Sequence, residues 1–244
     1  MLEALTLYQL VASAAILAVA YFVRGIAGFG SGLIAVPLLA FVLPFPLVVP
    51  LMIMLDYLAS LSQGMSNRED VRWKEIVPLI PFSLIGVLIA MLFLTQADAL
   101  VLIKALGGFI IFYGLFTLSG FSPKAGAARA WGVLAGLTGG IIGTLFGTGG
   151  PFYVSYFSAR GLDKAAFRAT LTTMFLMDGV WRLVGYAVSG RFTADFLVMV
   201  AACLPIMVLF MYIGGHVHTR LSQAAFERGI CVLLIGSGMA LLLK

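Results

Sequence analysis

The chain has 244 residues, of which 62% are hydrophobic and only 10% charged, against about 25% charged in a soluble domain. That balance excludes water as the main solvent and points to an all-α, polytopic membrane protein, with no charge run or low-complexity segment to mark a separate soluble domain. The net charge of +5 does not point to nucleic acid, because the basic residues sit in short connections between apolar segments, where they set sidedness in a bilayer.

In chain order the first predicted segment is 5–24. The preceding Met1-Leu-Glu-Ala lacks the basic region of a cleaved leader, so this segment is expected to stay as a first span. It ends at Arg24, four residues before Gly28-Phe-Gly-Ser-Gly-Leu-Ile-Ala-Val-Pro-Leu38, a glycine cluster that opens the second segment, 28–43. The third, 47–64, carries Asp56 near its centre and Gln63 near its end. A basic connection with Arg68, Arg72 and Lys74 leads to 75–95 and then 98–119. The second half begins with 131–146. The cluster Gly147-Thr-Gly-Gly-Pro-Phe-Tyr-Val-Ser-Tyr-Phe157 then opens 151–163. Segments 168–188, with Asp178 and Arg182, 195–213 and 224–243 complete it. Cys203 and Cys231 lie inside apolar segments without metal-like spacing and are packing residues. His216-Val-His218 sits in a basic connection with no third ligand nearby, so no metal site is expected. Trp73 and Trp131 suit an interfacial belt.

Five segments match five in order. The glycine clusters align at an offset of 119, Met54-Leu-Asp-Tyr aligns with Leu176-Met-Asp-Gly at 122, and Pro81 with Pro205 and Gly114 with Gly238 at 124. Two repeats follow, 1–120 and 127–244, within one integral membrane unit. Ten crossings with the first basic turn inside place Arg24, Arg68, Arg72, Lys74, Lys124, Arg129, Arg160, Lys164, Arg168, Arg220 and Arg228 in the cytoplasm. Only Lys104, Arg191 and Lys244 then lie outside, 11 against 3. The alternative of eight spans, with 28–43 and 151–163 re-entrant, splits the same charges 7 against 7. The basic asymmetry favours ten, and an odd number of crossings per half makes the repeats inverted, with both termini outside and the loop 65–74 cytoplasmic.

Segment 151–163 is about 20 Å of helix, shorter than a hydrocarbon core of about 30 Å. A short helix pair joined at a glycine turn can leave that turn below the membrane surface. In this arrangement the N-termini of 28–43 and 151–163 approach the midplane from opposite faces. Their unpaired amides and partial positive charge favour an anion.

These two clusters, with the chain length and the duplicated segments, resemble the TauE/SafE group of sulfite-exporter-type membrane proteins. The resemblance covers nearly the whole chain. It implies export of sulfite, organosulfonates or related sulfur-containing anions. Gly28, Gly30, Ser31 and Gly32 match its first motif and Gly147, Thr148, Gly149 and Gly150 its second, and as the residues of the two turns they are expected to bind the substrate. Pro151 stands where the first motif has Gly32, and proline is well tolerated in a first helical turn.

Among the polar residues, Asp56 and Asp178 are duplicated intramembrane carboxylates and candidates for coupling or gating, or for structural hydrogen bonds. Arg182, at i+4 from Asp178, either neutralises it or attracts the anion. Its first-half equivalent is Ser60, so the charge is not duplicated in register. Arg24 either draws anions toward the first turn or snorkels to the interface. Gln63, Ser31 and Thr148 can donate to an oxyanion.

No Gly-x-x-x-x-Gly-Lys-Ser/Thr loop exists, so neither ATP nor another cofactor is called for. The expected partners are a small anionic substrate and the lipid bilayer of the plasma (inner) membrane, with no nucleic acid; a homo-oligomer is compatible with this. An interior-negative potential favours export of a monoanion by about 2.3 kcal/mol per 100 mV. Two other classes compete. An intramembrane enzyme would use Ser31, but Gly-Phe-Gly-Ser-Gly is not Gly-x-Ser-x-Gly. A non-transporting assembly subunit would move no anion when purified.

Overall fold

The computed structural model describes residues 6–64, 68–119, 130–217 and 223–244. Residues 65–67 of the basic connection, Lys124, Arg129, His218 and Arg220 lie outside the described residues, as do the side chains of Arg68 and Arg228. The described residues form eleven α-helices: α1 Leu7–Ala27, α2 Ser31–Val42, α3 Phe45–Gly64, α4 Trp73–Ile76, α5 Ile80–Gln96, α6 Ala99–Leu118, α7 Trp131–Phe146, α8 Gly150–Ala159, α9 Lys164–Val188, α10 Ala194–His216 and α11 Gln223–Leu242. By length and composition α1, α3, α6 and α10 can each cross a membrane alone, and α2, α5, α7 and much of α11 are shorter apolar helices.

Four of the expected segments differ in the structure, each for a local reason. The segment 75–95 is split into α4 and α5, because Pro78 supplies no amide to continue the ladder. The helix expected to run to 163 ends at Ala159, where Gly161 takes φ +67° and turns the chain away. Asp163 then starts α9 four residues earlier than expected, its Oδ1 accepting from the amides of Ala165 and Ala166 at 3.0 Å each. The second segment starts at Ser31 rather than 28, since Gly28 and Gly30 both have positive φ.

The helices fall into two compact units, Met1–Val49 with Ala97–Phe121 and Ala201–Lys244, and Pro50–Gln96 with Ser122–Val200. Each draws on both halves of the sequence. In the first unit α6 packs antiparallel on α11 through glycine. A Cβ at Gly114 would come within 2.9 Å of Ile235, and one at Gly238 within 2.7 Å of Ile111 and 2.8 Å of the Gly107 carbonyl. Missing side chains let the two backbones approach closely, which is how apolar helices associate in lipid. At one end of this unit Gln9 Nε2 donates to the Val42 carbonyl at 3.0 Å, and Lys244 Nζ donates to the Ala40 carbonyl at 2.8 Å.

In the second unit α5 and α7 run side by side in the same direction. Gly136 abuts the Leu79 carbonyl, Gly140 the Ser83 carbonyl and Gly86 the Leu137 carbonyl, so none of the three accepts a Cβ. On α9, Gly179 receives the ring of Tyr57 from α3, and Gly185 receives Met91 of α5. The second unit thereby closes around α7, α8 and the middle of α9.

Candidate functional site

The first glycine turn joins α1 to α2. Gly28 ends α1 at φ +84°, its amide donating to the Arg24 carbonyl at 2.6 Å. Gly30 then caps α2 at φ +97°, a region L side chains rarely adopt. A Cβ on Gly30 would meet nothing within 4 Å, so this glycine is required by its backbone and not by crowding. Arg24 is 3% exposed, and its Nη1 donates to Ser31 Oγ at 3.1 Å, across the turn. Ser31 and Gly32 are buried, while Gly28 and Gly30 are half-buried.

The second glycine turn joins α7 to α8. Gly147 ends α7 at φ +67°, but Gly149 has an ordinary φ of −69°. Crowding explains it. A Cβ there would strike the Gly139 carbonyl and come within 2.8 Å of Arg182 Nη2. A Cβ on Gly143 would fall on the Arg182 guanidinium itself. Gly143 and Gly149 therefore form the two walls of a notch that holds the guanidinium. Inside it Nη2 donates to the Gly139 carbonyl at 3.0 Å and forms a close ion pair with Asp178 Oδ2, one turn back on α9.

The surroundings of this pair are buried and polar. Tyr153, three residues into α8, is 0% exposed and lies with its ring against Gly139 and edge-on to Phe175. Tyr186 donates its hydroxyl to the Thr144 carbonyl at 2.8 Å. Thr148 Oγ1, Tyr153 OH, Asp178 Oδ1 and Arg182 Nε are buried with no partner at full hydrogen-bond distance, and Tyr153 OH and the Asp178 carboxylate face each other. Buried polar atoms are nearly always paired, so four in one place call for an explanation.

Asp56 and Gln63 lie on α3, both half-buried. The Asp56 carbonyl accepts from Ser60 Oγ at 2.8 Å, and Gln63 Oε1 is buried without a hydrogen-bond partner. The structure thus brings Arg24 to Ser31 of the first turn, and Arg182 with Asp178 to Gly149 of the second. His216 lies tilted against the ring of Tyr212 on its own helix and shares a hydrogen bond with the Tyr212 carbonyl.

The far end of α8 is held by a second charged cluster. Glu75 of α4 accepts from Arg160 Nε at 2.8 Å, from Arg160 Nη2 at 3.2 Å and from Tyr156 OH at 3.0 Å. That carboxylate raises the pKa of the Arg160 guanidinium above its ordinary value. Alongside, the Arg72 amide donates to Thr170 Oγ1 at 3.0 Å. Asp163 is held below the usual carboxylate range, first by the Ala166 amide, with the Ala165 amide and Arg72 adding to it.

Sequence reasoning missed Gly139, Gly143, Tyr153 and Glu75. The first two were visible as small residues recurring along 131–146, which in an apolar chain marks close contact with something. Tyr153 stood inside the quoted motif but read as one more aromatic.

The chain is similar to two curated proteins. It is 29% identical over 195 residues to a probable inner membrane transporter protein TsaS of Comamonas testosteroni, covering 78% of this chain and 81% of that protein. It is 25% identical over 252 residues to a probable sulfite/organosulfonate exporter TauE of Cupriavidus necator, covering 99% of this chain and 97% of the relative. No solved structure gives a significant match. The family described as sulfite exporter TauE/SafE matches residues 13–241, nearly the entire length. A glycine-turn architecture, an apolar chain and this end-to-end match together make the protein a multi-pass membrane protein that belongs to the TauE/SafE transporter family.

Proposed function

We propose that the protein is a secondary transporter of the inner membrane that exports small sulfur-containing oxyanions, sulfite or a sulfonate. The relatives' names carry the substrate class. The observation that carries the mechanism is a buried arginine at each glycine turn, Arg24 on Ser31 and Arg182 in the Gly143–Gly149 notch. Each turn also opens a helix whose first amides face no side-chain cap. Guanidinium and helix N-terminus both favour an oxyanion. The substrate residues are then Gly28, Gly30, Ser31, Gly32, Arg24 and Gln63 with Gly147, Thr148, Gly149, Gly150 and Arg182. Asp56 and Asp178 are the coupling or gating carboxylates.

The chain crosses ten times in two inverted repeats, 1–120 and 127–244. Three groups of contacts support this. Glu75 and Arg72 meet Arg160 and Asp163, whereas eight spans would put those two connections on opposite sides. The last turn of α2 meets the first turn of α1 through Gln9 and Val42, as a returning crossing requires. The Gly114–Ile235 and Gly238–Ile111 contacts exchange under the offset of 124, the signature of a pseudo-twofold axis.

Proteoliposomes holding the purified protein test the reading. Loaded with sulfite, thiosulfate, a sulfonate or sulfate in turn, they should release at least one sulfur oxyanion without ATP. Release of none would return the chain to the assembly-subunit class.

A further inference from the structure

The four unpartnered atoms beside the second glycine turn are chemically complementary to one kind of visitor. Thr148, Tyr153 and Arg182 Nε can donate, and Asp178 Oδ1 can only accept when ionised. Their residues are 3%, 0%, 8% and 1% exposed. Tyr153 faces the Asp178 carboxylate and turns to another acceptor once that carboxylate is protonated, so the set suits oxygen acceptors that arrive together with a proton.

Charge narrows this further. Arg182 and Asp178 already form a neutral pair. Facing Asp178 are Arg182 on its own helix, Tyr153 from α8 and Ser83 from α5, Tyr57 of α3 packs on the adjoining Gly179, and Tyr186 lies farther along α9 beside Arg182. Tyr186 is committed to the Thr144 carbonyl and Ser83 to the Ile80 carbonyl. None of these groups other than Arg182 is a cation. An anion entering beside Arg182 therefore leaves two negative charges sharing one guanidinium, which a buried site disfavours strongly.

We propose, on the basis of the anion-transport reading, that the anion displaces Asp178 from Arg182, that Asp178 takes up a proton as it leaves, and that Tyr153 and Thr148 donate to the bound anion. An O–H bond forms at the Asp178 carboxylate with a proton from the water on the side the site faces. It breaks to the water on the other side when the anion departs and Asp178 recovers Arg182. One proton moves with each monoanion, so no net charge crosses. The voltage advantage of exporting a bare anion disappears, and flux follows the anion and proton gradients.

Methanesulfonate is the probe, because it is a permanently ionised monoanion and brings no proton of its own. From loaded proteoliposomes its efflux should be unchanged when the potential is clamped at different values, and the lumen should turn alkaline by one proton per anion. An infrared difference spectrum of the purified protein on adding methanesulfonate should show a protonated-carboxyl band, absent in Asp178→Asn. Tyr153→Phe keeps the ring and should raise KM about tenfold, the loss of one hydrogen bond to a charged group, with the proton count unaltered. Should Asp178→Asn fail to fold, the wild-type proton count and voltage dependence decide alone. Efflux that scales with voltage and leaves the lumen pH constant overturns the proton exchange and leaves transport standing. Absence of both flux and band with methanesulfonate overturns it too; their absence with sulfite and thiosulfate as well removes the transport reading beneath it.

Discussion

The two glycine turns look alike in sequence and are built for different reasons. In the first, Gly30 is glycine because its φ is +97°, and the space a side chain would occupy is empty. In the second, Gly149 has an ordinary backbone, and the space is full of the Gly139 carbonyl and the Arg182 guanidinium. Each turn has its buried arginine, but from unrelated positions. At the offset of 119 Arg24 aligns with Gly143, and Gly143 is the residue against which Arg182 lies. Where α1 supplies an arginine, α3 carries Ser60; where α9 supplies one, α7 carries a glycine to make room. The charge that is missing in register is restored by packing in the folded chain.

The largest effect should come from filling the notch. Gly143→Val drives the guanidinium away from Asp178 and leaves a buried charge unpaired, a loss of about 3–5 kcal/mol. A fluorescence or light-scattering melt of the detergent-purified protein would register it, and a wild-type melt would mean that Arg182 has another place to go. The reciprocal exchange sharpens the point. Arg182→Ser with Gly143→Arg puts the arginine where Arg24 stands in the first half, and it should melt closer to wild type than Arg182→Ser alone.

Next in size is the contrast between the far ends of the two short helices. The end of α2 is held by Gln9 and Lys244 donating to main-chain carbonyls. The end of α8 is held by the forked Glu75–Arg160 pair, with side chains 10% and 19% exposed. Glu75→Gln removes the charge on the acceptor, which should cost about 2 kcal/mol. Gln9→Ala, loosening one neutral bond, should cost about 1 kcal/mol. Equal melting shifts for the two would erase this distinction.

Gly30→Ala should be milder than Gly143→Val. It clashes with nothing and pays only the backbone strain of a left-handed residue, about 1–2 kcal/mol. The comparison of melts thereby separates conformational glycine from spatial glycine, a distinction the motif alone does not make.

Much of the architecture was legible because it rests on composition and local chemistry. The segment 131–146 coincides with α7, and the others agree to within a few residues except where Pro78, Gly161 and Asp163 intervene. Those three act through a missing amide, a positive φ and a side-chain cap, each a one-residue effect inside an apolar background that masks it. The i+4 pairing of Asp178 with Arg182 was legible too, since helix periodicity fixes it. The notch was not. It depends on Gly139, Gly143 and Gly149 arriving from one helix and a turn to meet an arginine about forty residues away in sequence, and packing of that kind leaves no local periodicity.

The smallest effect concerns how α3 and α9 begin. α3 starts between prolines, at Phe45, whereas α9 starts with Asp163 capping two amides. Asp163 titrates below the usual carboxylate range because those amides and Arg72 favour its charged form. Its folded pKa is depressed, so its stabilising contribution is complete above the unfolded value of about 4. That contribution is lost as pH falls through the lower folded value. The side chain is exposed, so the effect is small. Asparagine at an N-cap still accepts from the amides but cannot titrate. Asp163→Asn should therefore melt slightly below wild type at neutral pH, and the two should converge as the pH drops below about 4. Parallel melting curves across that window would assign the cap to geometry alone, with no contribution from charge at the start of α9.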